Sequence, residues 1–419
     1  MSTVNHCEAL GLMPLEKAVD AILAAVVAIS ETESISLHSA NKRVLADDVV
    51  SAINVPPADN SAMDGYALRS ADLTTTNTLE LIGTTLAGAP FQGKVDAGQC
   101  IRIMTGGVLP QGADCVVMQE NAQADVINNK NIRFLQQCDV GNNVRKAGED
   151  ITQGQVVVAK GCYLTPAHLA LIASVGQAKV EVVRQLTVGL ISTGDELTLP
   201  GQTLIPGAIY ESNSYALAAM LHNLNIKVNN YGIVKDDLSS LREVFKQADD
   251  ECDLVISCGG VSVGAADFVK DILAEAGEVN FWKVAIKPGK PFAFGRLAKA
   301  WFCGLPGNPV SSYVTFEQLV MPLLKKLGGQ NITIQQKPYF VAKAANLVRK
   351  RPGRADFQRA YFYRDDNGLM WVKAQSNQGS GVMSSITSAN CYIVLAQEQN
   401  DVSIGQDLKI LPFSNIYTD

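Results

Sequence analysis

The segment WFCGLPGNPVSS, from Trp301 to Ser312, joins a short apolar run to an amphipathic segment through a turn with two prolines. The apolar run predicts a buried strand, and the spacing of Val310, Tyr313 and Val314 predicts a helix. Proline is common at the first position of a helix, so Pro-Gly-Asn-Pro could be an ordinary connection. A second interpretation is a small site in which backbone N–H groups face an anion.

The same order of strand, loop and helix repeats between residues 186 and 328. The predicted strands are LTVGLIS, NNYGIV, CDLVIS, VNFWKVAI and KAWFC, and further helices are predicted in LSSLREVFKQADD and ADFVKDILAEAG. Short apolar strands that alternate with amphipathic helices are typical of a parallel sheet covered on both faces. We therefore expect a central, doubly wound, mainly parallel α/β domain over residues 186–328.

The flanking regions have a different pattern. Residues 15–29 predict one amphipathic helix, and short β-type runs separated by Gly, Pro and Asn turns follow. Residues 1–185 thus predict a linker and β-rich domains, with an inserted β domain at roughly 55–145. After a linker near LGGQNITIQQKP, residues 335–415 predict a small C-terminal β domain.

The composition excludes several classes of function. The chain has 419 residues and a net charge of −6, so no general basic field is available for nucleic acid. Nine cysteines without a CxxC pair and four widely separated histidines argue against a disulfide framework and against a His-built zinc site. The longest apolar run, Ala21–Ile29, is too short to span a bilayer, and no signal peptide is recognisable. We expect a cytoplasmic protein.

Unusual loops follow the predicted strands. They are Thr193-Gly194-Asp195-Glu196, Lys235-Asp236-Asp237, Gly259-Gly260-Val261-Ser262, Lys287-Pro288-Gly289-Lys290 and Pro306-Gly307-Asn308-Pro309. Each loop alone is more typical of a turn or a helix cap. Ligands of open parallel sheets bind beyond the carboxyl ends of the strands, so five such loops together predict one crevice.

The residue types in these loops indicate an anion site. Glycines and Ser262 let backbone N–H groups approach a ligand, and Lys287 and Lys290 add positive charge. Carboxylates are supplied by Glu196, Asp236 and Asp267. Acidic and basic groups in one phosphate-type site suggest a magnesium ion that bridges carboxylates and phosphate oxygens. A GxxxxGK[ST] loop is missing from the sequence and no Ser-His-Asp order is apparent, which argues against an ordinary kinase or hydrolase.

Other polar stretches leave two interpretations open. NVPPADNSAMDGYAL (54–68), MTGG (104–107) and AGEDI (147–151) are typical of Asx-turn clusters, or of a surface that faces a ligand or partner subunit. RKRPGRADFQRA (349–360) is either a basic turn with a half-exposed strand or a grip for an oxyanion. NQGSGVMSS (377–385) would supply Gly and Ser donors to such a grip.

In order and spacing, eight motifs resemble those of the molybdopterin molybdenumtransferases, the molybdenum insertase (MoeA/gephyrin) family. The motifs are PPADNSAMDGYA, MTGG, AGEDI, STGDEL, GGVSVG, KPGKPFAFG, LPGNPVSS and FQRA, and the resemblance covers about residues 10–412. It implies an elongated homodimer with four domains per subunit, in which the α/β domain is similar to the smaller molybdopterin-adenylating protein.

The resemblance also implies the activity. Molybdenum from molybdate would be inserted into the dithiolene of adenylyl-molybdopterin, and AMP and molybdenum cofactor would be released with the help of Mg²⁺. Transient contacts with the adenylating protein and with acceptor apo-enzymes are implied, but none with nucleic acid or membrane. Two alternatives remain at this point: a non-catalytic molybdopterin-binding scaffold, and a nucleotide pyrophosphatase built on the same α/β domain.

Residue roles follow from the resemblance by position. Glu196, Asp236 and Asp267 would be catalytic and would bind the metal. Gly259, Gly260, Ser262, Pro306, Gly307, Asn308 and Pro309 would surround the phosphate and pterin. Lys283, Lys287, Lys290, Arg359 and Ser380 would face the oxyanion. Asp59, Thr105 and Asp150 match functionally sensitive positions and are expected to reach the cleft across the dimer.

The sequence departs from the family at two positions. Ala265 stands where an acidic residue is usual, which would weaken metal binding if that acid is a ligand, and Ala58 stands where Phe is common.

Overall fold

The computed structural model describes residues 11–124, 130–235, 237–259, 275, 277–331 and 339–413. The chain divides into two compact units. The first contains Met1–Glu33, Lys42–Val44 and Val183–Asp419, and the second contains Ser34–Asn41 and Leu45–Val182. No described helix has both the length and the apolar character needed to cross a bilayer.

The chain starts with helix α1 (Leu15–Ala25) and strand β1 (Thr32–Ser36). Helix α1 ends four residues before the predicted Ile29, because Val26 already has an extended backbone. Its buried face, formed by Leu15, Ala18 and Ile22, packs into the main core of the first unit.

The second unit is rich in strands, as predicted. Its elements are β2 (Val49–Val50), β3 (Asn60–Ser61), β4 (Gly65–Leu68), β5 (Thr78–Thr85), β6 (Gln99–Ile103), β7 (Cys115–Met118), β8 (Ala122–Ala124), β9 (Asn131–Phe134), β10 (Val144–Arg145), β11 (Val156–Val158), α2 (Pro166–Ser174) and β12 (Lys179–Val183). Six strands form one sheet in the order β7-β4-β6-β5-β9-β8. Alternating residues such as Leu68, Leu79 and Cys100 form its core.

The α/β part of the first unit follows. Its elements are β13 (Thr187–Thr193), β14 (Leu197–Thr198), β15 (Ile209–Tyr210), α3 (Asn213–Asn223), β16 (Lys227–Val234), α4 (Leu238–Glu251), β17 (Leu254–Cys258), β18 (Glu278–Lys283), β19 (Ile286–Lys287), β20 (Pro291–Arg296), β21 (Trp301–Leu305), α5 (Pro309–Thr315), a π-helical turn (Phe316–Val320) and α6 (Met321–Leu327).

The central sheet has the strand order β16-β13-β17-β21-β20-β18. The first four strands are parallel, and β20 is antiparallel to both of its neighbours. Residues Leu190 and Ile256 face the core shared with α1, α3, α5 and α6, whereas Ile191 and Val255 face α4. The mainly parallel, doubly wound domain predicted from the sequence is therefore confirmed.

Strand β20 and helix α3 are the longest elements of this domain that were not predicted. Strand β20 (PFAFGR) directly follows the Lys-Pro-Gly-Lys loop and is buried on both faces, so it has no alternation to reveal it. Helix α3 has apolar residues around most of its circumference and no clear stripe, although Leu217 and Leu221 are its buried contacts. Because β20 is antiparallel, residues 284–290 connect β18 to a returning strand, and they lead into no helix of the kind that follows β16 and β21.

The C-terminal part of the first unit is a small barrel. Its elements are β22 (Phe340–Ala344), β23 (Ala355–Arg364), β24 (Met370–Ala374), α7 (Ser384–Thr387), β25 (Cys391–Leu395) and β26 (Asp407–Pro412). The order β23-β24-β22-β26-β25 closes because β25 also pairs with β23. Side chains such as Ala360, Val372 and Ile393 fill the interior. Strand β19 of the α/β part adds to this sheet by parallel pairing with β23.

Candidate functional site

Three parallel strands end close together at one rim of the central sheet. Gly259, just after β17, has φ +97°, and a Cβ there would lie 2.6 Å from the carbonyl oxygen of Thr193 at the end of β13. Its N–H donates to the Leu305 carbonyl at the end of β21 (3.1 Å). A Cβ on Gly307 would lie 3.9 Å from the Gly259 Cα. At Gly259 only glycine allows this close backbone approach, and among the described residues no side chain stands on the rim at Gly259 or Gly307.

Glu196 lies at the same rim. The turn after β13 is closed by the Leu197 N–H, which donates to the Gly194 carbonyl (3.1 Å). The carboxylate folds back over Gly194, where a Cβ would lie 2.7 Å from Oε2. Glu196 is exposed, so its oxygens are available to a ligand beside Gly259.

The Pro306–Pro309 turn ends β21 and starts α5. The Gly307 carbonyl accepts a hydrogen bond from Asn213 Nδ2 (2.8 Å), and the Val310 N–H donates to the Ser380 carbonyl (3.0 Å). The Val310 amide is therefore not bare. Among the described residues, the N–H groups of Gly307 and Asn308 have no acceptor, and both residues are exposed. The bare amides of this turn are thus confined to Gly307 and Asn308.

Buried hydroxyls without a described partner occur on two of the strands that end at this rim, and on α5. Within the described ranges, Ser192 and Thr193 at the end of β13, Ser257 in β17 and Thr315 in α5 have hydroxyl groups that make no hydrogen bond. A buried polar group left unpaired costs about 1–3 kcal/mol. Such a cost is more usual at a functional site than in an ordinary core.

The Lys-Pro-Gly-Lys loop packs against α5. Gly289 has φ +110°, and a Cβ there would lie only 2.2 Å from Thr315 Oγ1. Lys287 is half-buried, and Lys283 and Lys290 are exposed. The loop therefore lies against α5 at Ser311 and Thr315, the third and the last residue of that helix; Lys287 and Lys290 belong to the loop, and Lys283 ends β18 before it.

Arg359 is not an open oxyanion ligand in this structure. Its side chain is 1% exposed, its Nε donates to Ser385 Oγ (3.0 Å) and its Nη2 donates to the Gly379 carbonyl (3.1 Å). Burial lowers the pKa of the guanidinium from its ordinary value. Strand β23 turns this residue inward, so Arg359 fixes the loop that carries Ser380. A guanidinium has five N–H groups, and two are used in these bonds.

The basic stretch 349–360 is divided in the structure. Arg349 pairs with Asp401 (2.8 Å), and Lys350 is buried with Nζ donating to the Arg351 carbonyl (2.8 Å). Burial lowers the pKa of Lys350. The five basic residues therefore do not form one open patch, which corrects the picture of a continuous grip.

Four predicted site residues, Asp236, Gly260, Ser262 and Asp267, lie outside the described residues, as does Ala265. Asp237 caps α4, because its Oδ1 accepts hydrogen bonds from the Ser239 hydroxyl (2.7 Å) and the Ser240 N–H (2.9 Å). These bonds lower the pKa of Asp237 to about 2. In the described part of the chain, no three His, Cys, Asp or Glu side chains are arranged to hold a metal ion.

In the second unit, the stretches 54–68, 104–107 and 147–151 meet. The Leu109 N–H donates to the Asp59 carbonyl (2.8 Å), and the Asp59 carboxylate accepts from Lys146 Nζ (2.9 Å) and the Ala147 N–H (2.8 Å). The Lys146 bond, followed by the Ala147 bond, lowers the pKa of Asp59. Asp59 thus ties the 54–68 stretch to Ala147 of the 147–151 stretch and to Leu109, two residues after the 104–107 stretch.

The other two predicted residues of this unit are exposed. Asp64 accepts hydrogen bonds from the N–H (2.7 Å) and the hydroxyl (2.8 Å) of Thr105. The Asp150 N–H donates to the Val55 carbonyl (3.0 Å), and its side chain faces solvent. The turn-cluster interpretation of these stretches therefore describes their hydrogen bonds.

Two buried carboxylates of the first unit were missed by sequence reasoning. Glu211 accepts hydrogen bonds from the N–H (2.8 Å) and hydroxyl (2.5 Å) of Ser214 at the start of α3. Asp356 pairs with Lys287 (3.0 Å). Glu211, in ESNS, could have been noticed as a carboxylate just before a helix, whereas Asp356 had no local signal within its basic stretch.

Comparison with known proteins identifies the family. Residues 13–176 match the MoeA N-terminal region (domain I and II), 189–326 match a probable molybdopterin binding domain, and 341–413 match the MoeA C-terminal region (domain IV). A curated molybdopterin molybdenumtransferase from Haemophilus influenzae is 45% identical over 405 residues, which is 97% of this chain and 100% of that protein.

The chain belongs to the molybdopterin molybdenumtransferase family. A molybdopterin molybdenumtransferase from Nostoc is 34% identical over 91% of this chain and 88% of its own length. A crystal structure of molybdopterin biosynthesis moeA protein from Pyrococcus horikoshii aligns with a TM-score of 0.82 and 30% identity, covering 96% of this chain and 100% of that one. The family and the enzyme class predicted from the sequence are confirmed, and the scaffold and pyrophosphatase alternatives are not favoured.

Proposed function

We propose that this chain inserts molybdenum from molybdate into the dithiolene of adenylyl-molybdopterin and releases AMP. One observation carries the proposal beyond family membership. In the described part of the chain, Gly259 and Gly307 lie side by side next to Thr193 at the carboxyl ends of parallel strands, and the turn after β13 carries the exposed carboxylate of Glu196. A phosphate-bearing ligand needs this kind of close backbone approach.

The glycine rim would hold the phosphate and pterin part of the substrate. The unpaired N–H groups of Gly307 and Asn308 can donate to phosphate oxygens, and the two prolines, Pro306 and Pro309, fix the turn that presents them. Gly260 and Ser262 would continue the rim by sequence.

The lysines would hold molybdate. Lys287 and the exposed Lys283 and Lys290 supply positive charge, and an ammonium group donates up to three hydrogen bonds to oxyanion oxygens. Arg359 would act mainly by fixing the backbone that carries Ser380. Fixed charges that hold molybdate beside the dithiolene lower the barrier by positioning and by electrostatic stabilisation.

Mg²⁺ would be held by Glu196 together with Asp236 and Asp267. The exposed carboxylate of Glu196 supplies the hard oxygen ligands that this ion prefers. Bound there, the ion would neutralise charge on phosphate oxygens. The role of Glu196 itself is to present its oxygens at the rim, where the fold over Gly194 holds them.

The proposal includes a cytoplasmic homodimer. Asp59, Thr105 and Asp150 would then serve the cleft of the partner subunit, as the family resemblance implies. The adenylating protein would deliver the substrate, and acceptor apo-enzymes would receive the product.

The test measures AMP release by the purified protein from adenylyl-molybdopterin and Mg²⁺, with and without molybdate. We expect release to depend on molybdate and to fall about 100-fold or more in Glu196→Gln. Glu243→Gln on the exposed face of α4 is the matched control and should behave as wild type.

Two results would contradict the proposal. Binding of both substrates without AMP release would indicate a scaffold, and AMP release without molybdate would indicate a pyrophosphatase. Charge reversal is best made at Lys287, because Arg359 is buried and its reversal would test folding.

A further inference from the structure

An ion pair joins the Lys-Pro-Gly-Lys loop to the barrel. Strand β19 lies parallel to the start of β23 with Lys287 opposite Asp356, and the Ala355 N–H donates to the Ala285 carbonyl (2.8 Å). In this register Lys287 Nζ lies 3.0 Å from Asp356 Oδ2. The α/β part thus supplies the cation, and the barrel supplies its carboxylate.

The two partners differ strongly in exposure. The Asp356 side chain is 3% exposed, whereas the Lys287 side chain is 44% exposed. Salt and water screen a buried carboxylate less than an exposed one, so the attraction on Lys287 is stronger than in a surface pair. An ammonium has three N–H groups, and Asp356 takes one of them. Within the described ranges, two N–H groups of Lys287 therefore stay without an acceptor, and its side chain is partly exposed.

Asp356 is itself held in place. Its Oδ2 also accepts from Gln358 Nε2 (3.1 Å), and the same amide nitrogen donates to the Arg349 carbonyl (2.8 Å). Gln358 is buried, so this amide cannot turn away. A lysine side chain is flexible, and a fixed carboxylate limits the positions that its ammonium can take.

The neighbourhood remains positive despite this carboxylate. Lys350 is 5% exposed, and its Nζ donates to the Arg351 carbonyl (2.8 Å) and the Gln397 carbonyl (3.3 Å). Burial lowers the pKa of Lys350, the charge of Asp356 opposes this decrease, and Lys287 and Arg354 add to it. The three basic side chains, Lys287, Lys350 and Arg354, thus outnumber the two carboxylates, Asp356 and Glu398, so Asp356 orders the lysine without cancelling the local positive charge.

We propose that Asp356 is a positioning residue that holds the Lys287 ammonium at the angle and distance needed to bind the tetrahedral oxyanion substrate. The inference rests on the proposed function, because it assigns molybdate to Lys287. Asp356 touches no substrate and acts only through Lys287.

The test is a double-mutant cycle of Asp356→Asn and Lys287→Ala, read as the molybdate dissociation constant by calorimetry and as KM and kcat for AMP release. We expect Asp356→Asn to raise the dissociation constant and the KM for molybdate about tenfold, with kcat within about twofold. In the Lys287→Ala background the same change should have no further effect, and Asp356→Glu should restore part of the binding. Asp407→Asn, which breaks the exposed Lys343–Asp407 pair (3.2 Å) of the same barrel, is the matched control.

Equal effects of Asp356→Asn in both backgrounds, or an effect no larger than that of Asp407→Asn, would overturn the inference. If Asp356→Asn does not fold, as judged by thermal unfolding, Asp356→Glu takes its place; its expected rise in the dissociation constant is smaller and should likewise disappear in the Lys287→Ala background. If wild-type protein binds molybdate but releases no AMP, the proposed function is refuted. The molybdate dissociation constants of the four proteins in the cycle then decide the role of Asp356 alone. Normal AMP release without coupling would refute only the positioning role.

Discussion

The polar groups differ between the carboxyl edge of the central sheet, where the parallel strands end, and the amino edge, where they begin. Among the described residues, several lack hydrogen-bond partners at the carboxyl edge, whereas those at the amino edge are paired. At the carboxyl edge, β13, β17 and β21 end at glycine turns, bare amides and unpaired hydroxyls such as that of Ser257. At the amino edge, Asp253 accepts two hydrogen bonds from Arg184 (2.6 and 2.8 Å) and one from the Thr187 N–H (2.8 Å).

A cleft is present at the amino edge as well. It has a volume of about 690 Å³ and is lined by residues that include Arg184, Asp253 and Trp301. Its acidic groups already have partners: Asp249, for example, accepts the N–H groups of Lys299 (2.9 Å) and Ala300 (2.7 Å). A cleft whose polar groups are already paired is therefore not by itself a sign of a binding site.

The largest expected effect is at the carboxyl edge. Gly259→Ala places a Cβ at φ +97° and 2.6 Å from a backbone carbonyl, so the rim must shift. We expect AMP release to fall about 100-fold, because displacements of about 1 Å have effects of this size. Gly154→Ala is the control: its φ is +85° and a Cβ there meets no atom within 4 Å. It should lower the free energy of unfolding by about 1 kcal/mol and leave AMP release unchanged.

The amino edge should respond in stability alone. Asp253→Asn removes the charge that holds Arg184 and should lower the free energy of unfolding by about 2 kcal/mol, measured by urea titration. Its kcat and KM should equal those of wild type. Asp250→Asn, which breaks the more exposed pair with Lys299, should have a smaller effect. A large loss of AMP release in Asp253→Asn would end the contrast between the edges.

Removing an unpaired hydroxyl should cost little stability. Ser257→Ala deletes a buried hydroxyl without a partner, so the free energy of unfolding should stay within about 1 kcal/mol of wild type or rise. Ser214→Ala is the comparison, since its hydroxyl donates to Glu211, and it should lower the free energy of unfolding by about 1 kcal/mol. The reverse order of the two values would show that Ser257 is satisfied in solution.

The smallest effect concerns the Asp237 cap and pH. Bonds from Ser239 and Ser240 hold the pKa of Asp237 at about 2, below its usual 3.8. A depressed carboxyl pKa stabilises the fold above the unfolded value, and this contribution disappears as pH falls through the folded value. The difference in Tm between wild type and Asp237→Asn should therefore be constant above about pH 5 and shrink between pH 4 and pH 2. A difference that stays constant over this range would contradict the assigned cap.

The sequence predicted the carboxyl edge because its signals are local. Apolar runs marked β13, β17 and β21, and the glycines and prolines after them marked the turns, so parallel topology alone brought the turns together. Strand β20 was missed because a strand buried on both faces has no alternation.

The charge arrangement around the barrel could not be predicted in the same way. Lys287 and Asp356 are 69 positions apart, and their contact depends on the pairing of β19 with β23. Residues 356–360 of β23 are all buried, on both faces of the strand, so no alternating pattern in the sequence could show that Arg359 is buried.

Strand β19 also limits how the barrel and the α/β part can be separated by protein engineering. It contributes Ile286 and Lys287 to the barrel, while β18 and β20 on either side of it belong to the central sheet. If the barrel is transplanted onto another α/β scaffold, residues 284–290 must be transferred with it. Otherwise β23 loses its two paired residues in β19, and the buried carboxylate of Asp356 loses its lysine partner. Residues 284–290 therefore belong structurally to both the α/β part and the barrel, and neither part keeps all of its contacts without them.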